Sequence, residues 1–115
     1  MVINTREVGD VIIYDLKGRV CRTASEGQTL HQFVKLDLGK GKRNFLFNFQ
    51  NVEFIDSFRA GEILASYISI SNIGGNLKLA CIPEKLLSLF ITGGHDFMLY
   101  ENEEAALKSL EKAKI

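Results

Sequence analysis

The sequence predicts an α/β domain, a mixed and mostly parallel sheet of about five strands with about four helices. Three observations carry that reading. Apolar runs of period two alternate along the chain with runs of helical period. Glycines close each of the first three helical runs. The first two strand-like runs are separated only by a tight turn, whereas the later ones are separated by helices, the signature of parallel crossovers.

In chain order, "VINTREVGDVIIYDLKGRV" reads as two strands joined at Gly9-Asp10, an antiparallel opening pair whose second strand is ended by Gly18. Within "ASEGQTLHQFVKLDLGKGK", Leu30, Phe33, Val34 and Leu38 recur at helical spacing until Gly39 and Gly41. "RNFLFNFQNVEF" is strongly strand-like, with Phe45, Phe47 and Phe49 on one face and Leu46 on the other. After Ser57, the positions Ala60, Ile63, Leu64, Tyr67 and Ile68 form an apolar helical stripe that ends at Gly74-Gly75. "NLKLACI" follows as a strand with Leu77, Leu79 and Cys81 alternating against Lys78. Pro83 then opens a short helix with Leu86, Leu87 and Phe90 inward. "FMLY" is a last strand. "NEEAALKSLEKAK" is a closing helix, with Glu103 and Glu104 in its first turn and Lys108, Lys112 and Lys114 toward its end, as the helix dipole favours.

At 115 residues the chain is expected to be one domain, 1–115, that folds without metal or disulfide. Fourteen Lys and Arg balance 14 Asp and Glu, so the basic excess of a nucleic-acid binder is missing. The same neutrality lowers the barrier to self-association or to docking on a partner. Cys21 and Cys81 are too few and too far apart for a metal cluster or redox pair, and read as small half-buried hydrophobes. The N-terminal "MVINTREVGD" lacks the basic and apolar regions of a signal peptide, and no apolar stretch is long enough to span a bilayer. The expectation is a cytoplasmic protein with no cofactor.

Catalytic signals are weak. His31 and His95 have no local partner pattern and read as exposed, Ser57 lacks the flanking glycines of a nucleophile elbow, and no phosphate-binding glycine loop is present. The pair Asp56-Ser57 is different. It lies where the Phe-rich strand gives way to a helix, at the carboxyl edge of the sheet where α/β domains place their sites. An ordinary N-cap explains the pair on periodicity alone. A displayed serine is the alternative, because a helix N-terminus accommodates a phosphate and the added charge would fall on whatever docks there, but periodicity alone favours the cap.

The segments "LKGRV", "VEFIDS" followed by a helix carrying Gly61, "NIGGNLKLACIPEKLLSLFITGG" and "EEAALKSL" together resemble the STAS domain, the fold shared by bacterial anti-sigma factor antagonists and the tails of sulfate transporters. The resemblance covers nearly the whole chain. It implies that Ser57 is a phospho-acceptor with Asp56 as its motif neighbour. It also implies a partner that is at once anti-sigma factor and serine kinase, bound only by the unphosphorylated form, and a phosphatase that reverses the modification. Phe58 and Arg59 stand where the family commonly has Ser or Thr and then Gly, and "GRVCRTAS" lacks the acidic residue usual after the second strand. Arg59 either pairs with a phosphate on Ser57 and mutes its repulsion, or reshapes the partner contact.

From topology, the partner-binding candidates are Phe58, Arg59 and Glu62 on the exposed start of the helix, with Arg22 and Thr23 from the loop after the second strand. Ile91 and His95 are weaker ones. No nucleic acid or membrane partner is expected, and a weak homodimer is left open. The alternative function is a STAS scaffold or transport-complex subunit that holds a protein partner constitutively. A small enzyme or ligand binder using the same crevice ranks third.

Overall fold

Gly9 and Asp10 form the two-residue connection that sets Val8 opposite Val11, and the first two strands zip up antiparallel from there. The structure is a computed structural model that describes residues 2–20, 30–91 and 99–112. Strands β1 (Val2–Val8), β2 (Val11–Val20), β3 (Asn44–Ile55), β4 (Asn76–Ala80) and β5 (Leu99–Tyr100) lie in the sheet in chain order. All pairings after the first are parallel. Helices α1 (Leu30–Gly39), α2 (Ser57–Asn72), α3 (Ser88–Ile91) and α4 (Glu103–Lys112) intervene, with a 3-10 turn at Glu84–Leu86 before α3. The expected mixed sheet of five strands is therefore the observed one. Pro83 precedes the 3-10 turn rather than opening one continuous helix.

Alternation along β3 divides the core in two. Phe45, Phe47 and Phe49 pack with Ile12, Tyr14, Leu77 and Leu79 beneath α1 and α2, while Leu46 joins Val11, Ile13 and Ala80 beneath Ala106 and Leu110 of α4. The Tyr14 ring stacks on Phe47, centroids 5.1 Å apart, and its hydroxyl donates to the Asp37 carboxylate of α1. Burial first, and that carboxylate second, push the Tyr14 phenol far above its ordinary range. One side chain thus fastens α1 to the sheet.

Two expectations about strands need correction. Gly18 does not end β2; the strand continues to Val20, and Gly18 sits at φ +87° beside a register shift. Between Asp15 and Lys17, and again between Gly18 and Arg19, β3 carries one more residue than β2. These bulges change the inward spacing of β3 from two to three, so that Val52 and Ile55 follow Phe49 into the core. Cys81 lies beyond β4 rather than in its alternation. At φ +61° it turns to the α4 side with Ala80, where the continued strand would have placed it with Leu79. It is half-buried, as expected of a small hydrophobe, and burial raises its thiol.

The end of α2 explains its glycine pair. Gly74 adopts φ +80°, and Gly75 donates back to the Ile70 carbonyl at 2.9 Å. A Cβ on Gly75 would fall 2.5 Å from the Arg43 carbonyl oxygen, so no larger residue fits where the chain turns from α2 into β4.

Candidate functional site

The start of α2 is built by the bulged end of β3. With Ile55 drawn into the core, the chain reaches Asp56 in extended conformation, φ −85° and ψ 169°, and the helix begins at Ser57. The Asp56 carboxylate accepts the Arg59 backbone N–H at 2.8 Å, which is N-cap geometry. Asp56 therefore supplies the cap. Ser57 occupies the first helical position, exposed, and Phe58 beside it is 44% exposed. The cap expected at the Asp-Ser pair is thus Asp56, and Ser57 is left exposed beside it.

Arg59 departs from expectation. It is 1% exposed, the largest fully buried side chain described, and not part of an exposed helix start. Its Nη1 donates to both Glu62 oxygens, at 2.9 and 2.8 Å. Glu62, expected on the same exposed surface, is 10% exposed at its side chain. The reason lies in how α2 is rotated. Its buried positions are Arg59, Ala60, Ile63, Ser66 and Ile70, which places Ile68 outside at 55% exposure instead of in the predicted stripe. Helix α1 packs along the side of α2 that carries Glu62 and Ser69. There Glu62 Oε1 accepts the His31 backbone N–H at 3.4 Å, and His31 Nε2 meets the Ser69 hydroxyl at 2.9 Å. His31 is thus half-buried rather than exposed, and burial, followed by Lys35, lowers its pKa.

These contacts tie the first turn of α2 to the start of α1. The buried pair is geometrically good, with two short hydrogen bonds into one carboxylate. Its role is to hold the first turn of α2 against the start of α1. Arg22, Thr23 and His95 lie outside the described residues, as does the side chain of Ile91.

A second polar group was not legible in the sequence. Arg6 of β1 bonds to Asp15 of β2 and to Glu103 of α4, and Asn48 of β3 donates to Glu103 at 3.1 Å. This network borders an open cleft of about 740 Å³ on the α4 side, lined also by Gln50, Cys81 and Asn102. A smaller cleft of about 420 Å³ lies at the ends of β4 and β5, between Ile82, Glu84, Leu87 and Tyr100. Neither cleft includes the start of α2. No local motif announces the Arg6 network, because its members stand on four different elements.

The fold has solved counterparts. TM1081 of Thermotoga maritima, a candidate anti-sigma factor antagonist, superposes with a TM-score of 0.79 at 26% identity, over 95% of this chain and 94% of that one. The phosphorylated form of SpoIIAA, a Bacillus cell fate determinant, gives 0.77 at 18% identity over 94% and 98%. The murine anion transporter Slc26a9 gives 0.68 at 13% identity over 93% of this chain and 18% of that chain. The last two likenesses are of fold alone. No curated protein matches the chain in sequence. The family model of the STAS domain matches residues 2–106, and the chain belongs to the STAS domain family.

Proposed function

We propose that this protein is an anti-sigma factor antagonist-like regulator, a non-enzymatic switch acting in the cytoplasm. It binds an anti-sigma factor that is also a serine kinase, through the surface at the start of α2, and phosphorylation of Ser57 ends the complex until a phosphatase restores it. One observation carries the reading: Asp56 caps the helix, which leaves Ser57 exposed at the first helical position beside the exposed Phe58. The likeness to TM1081 supports the same class of partner. SpoIIAA, similar in fold, has been solved in phosphorylated and unphosphorylated forms, which supports the reading.

The electrostatics of the switch follow from Arg59. Its guanidinium is buried on Glu62, so a phosphate on Ser57 would meet the backbone N–H groups and dipole of α2 rather than that cation. The sequence-based idea that Arg59 mutes the phosphate therefore gives way to a phosphate whose charge, about −1.5 to −2, stands on the surface. Repulsion and desolvation then act on the docked partner. Phe58 in the motif favours a second reading, a scaffold that binds constitutively through the same apolar ring.

Phosphopeptide mapping of the protein incubated with ATP and native-host extract separates the two. Modification at Ser57, lost in Ser57→Ala, is the expected result. A partner complex that forms while Ser57 stays unmodified supports the constitutive scaffold instead.

A further inference from the structure

The outward face of α2 has a composition that a solvated helix rarely shows. The helix is SFRAGEILASYISISN, and its two charged side chains, Arg59 and Glu62, neutralise each other on the inner side. The exposed residues of α2 are Ser57, Phe58, Gly61, Ile68, Ser71 and Asn72, with the half-buried Ala65 between Gly61 and Ile68 on the same side. Phe58 is 44% and Ile68 55% exposed. Interface cores are depleted of charge and enriched in aromatic residues, whereas a solvated helix face is normally charged.

Gly61 is the second anomaly. It is exposed within a 16-residue helix, and a Cβ built on it meets nothing within 4 Å. Glycine there costs roughly 1 kcal/mol of helix propensity relative to alanine. Among the described residues nothing demands it, so the space it leaves suits something approaching from outside.

The third observation identifies what approaches. The middle of the face, Phe58, Gly61, Ala65 and Ile68, reads large, small, small, large, and these four positions are symmetric about Ile63: Phe58 and Ile68 lie five residues either side, Gly61 and Ala65 two. At 100° per residue, both pairs centre on the same direction, opposite the buried Ile63. An isologous two-fold contact demands such self-complementarity. With two copies of α2 antiparallel, Phe58 of each meets Ile68 of the other, and Gly61 meets Ala65 so that the axes can approach closely. A heterologous partner gives no reason for the palindrome. A formal net charge of zero leaves no bulk repulsion between copies.

We infer that the outward face of α2 is a homodimer interface, two copies packing antiparallel about a two-fold axis level with Ile63. One helix face about 24 Å long falls short of a standard interface of roughly 1,600 Å², so the dimer is weak and concentration-dependent. The inference does not rest on Ser57 being phosphorylated. Self-association covers the surface assigned above to the partner, so the two compete.

Sedimentation equilibrium of the full chain across a range of concentrations tests the inference. Wild type is expected to self-associate reversibly to a dimer. Ile68→Glu buries two uncompensated carboxylates and is expected to weaken the dimer about 100-fold. The double variant Phe58→Lys with Ile68→Glu sets a lysine against a glutamate at both ends, and is expected to recover dimerisation to within about 10-fold of wild type. Both positions are exposed, so circular dichroism and melting temperature serve as folding controls. A wild type that stays monomeric overturns the inference. So does a dimer indifferent to Ile68→Glu, or a double variant no better than the single, since only the antiparallel two-fold register brings positions 58 and 68 together.

Discussion

The two sides of α2 follow opposite rules. Inward, Ile63 and Ile70 are fully buried, Ser66 returns its hydroxyl to the Glu62 carbonyl at 2.9 Å, and Arg59 grips Glu62. Outward, Phe58 and Ile68 are exposed, and a Cβ on Gly61 between them would meet open space. The charge expected on the outside is on the inside, and the apolar bulk expected on the inside is partly on the outside. On the proposed reading this inversion separates two tasks: the inner side fixes where Ser57 stands, and the outer side is the one that would meet other molecules.

Substitutions that break the comparison act first on stability. Arg59→Leu leaves the Glu62 carboxylate buried without its counter-charge and is expected to cost about 3 kcal/mol. The double variant Arg59→Leu with Glu62→Leu is expected to regain most of that loss, because replacing a whole buried pair by apolar groups is nearly neutral. Urea unfolding of the three proteins checks both statements, and a double variant as unstable as the single would contradict them. Ile63→Ala should cost a similar amount, about 3 kcal/mol, through the cavity it leaves beneath the helix.

A smaller effect sharpens the comparison at the cap. Asp56→Ala removes the acceptor of the Arg59 N–H and is expected to cost about 1 kcal/mol. Its second consequence is functional: the first turn frays, and the yield of Ser57 modification falls in the phosphopeptide assay. Unchanged modification would mean that helix geometry at Ser57 is irrelevant to the modifying enzyme.

On the outer side the expected pattern reverses. Phe58→Ala should change stability by less than about 0.5 kcal/mol, as surface substitutions do, while weakening partner capture. Gly61→Ala should stabilise the fold by roughly 0.5 to 1 kcal/mol, since the added methyl meets open space. A destabilised Gly61→Ala protein would show that the glycine serves the fold.

The smallest effect is a pH dependence at the junction of α1 and α2. Burial lowers the His31 pKa in the folded state, so the unfolded chain takes up the proton first. The stability associated with neutral His31 is present above its unfolded value of about 6.5 and is lost as pH falls through the folded value. The groups facing the ring are Lys35 from α1, and Glu62 and the Ser69 hydroxyl from α2. His31→Gln is expected to flatten the melting temperature between about pH 7 and about pH 5. A variant as pH-sensitive as wild type would locate the dependence elsewhere.

How far the sequence foretold this molecule depends on whether a signal is local. The alternation of Phe45, Leu46 and Phe47 announced β3 and its two faces, and the glycine pair announced the end of α2, because period and backbone freedom are properties of neighbouring residues. A cap at Asp56 or Ser57 was legible for the same reason; that Asp56 supplies it came only with the structure. The rotation of α2 was not. Arg59 in an apolar environment contradicts a charged residue's usual place, and only the counter-charge of Glu62 three residues on hinted that the pair belonged inside. Gly18 read as a strand end because a bulge depends on the partner strand, which the residues around Gly18 do not describe. The Arg6, Asp15, Asn48 and Glu103 network was equally hidden, since its members meet only after the sheet and α4 have assembled.

The central claim is that the start of α2 is a docking surface gated at Ser57. Affinity capture from native-host lysate tests it most directly, with wild type and Ser57→Asp as paired baits and mass spectrometry as the readout. The account predicts a serine kinase of anti-sigma type retained by wild type and lost by Ser57→Asp, with both baits equally folded. Identical partners on the two baits would contradict it and leave Ser57 as no more than the first residue of a helix that Asp56 already caps.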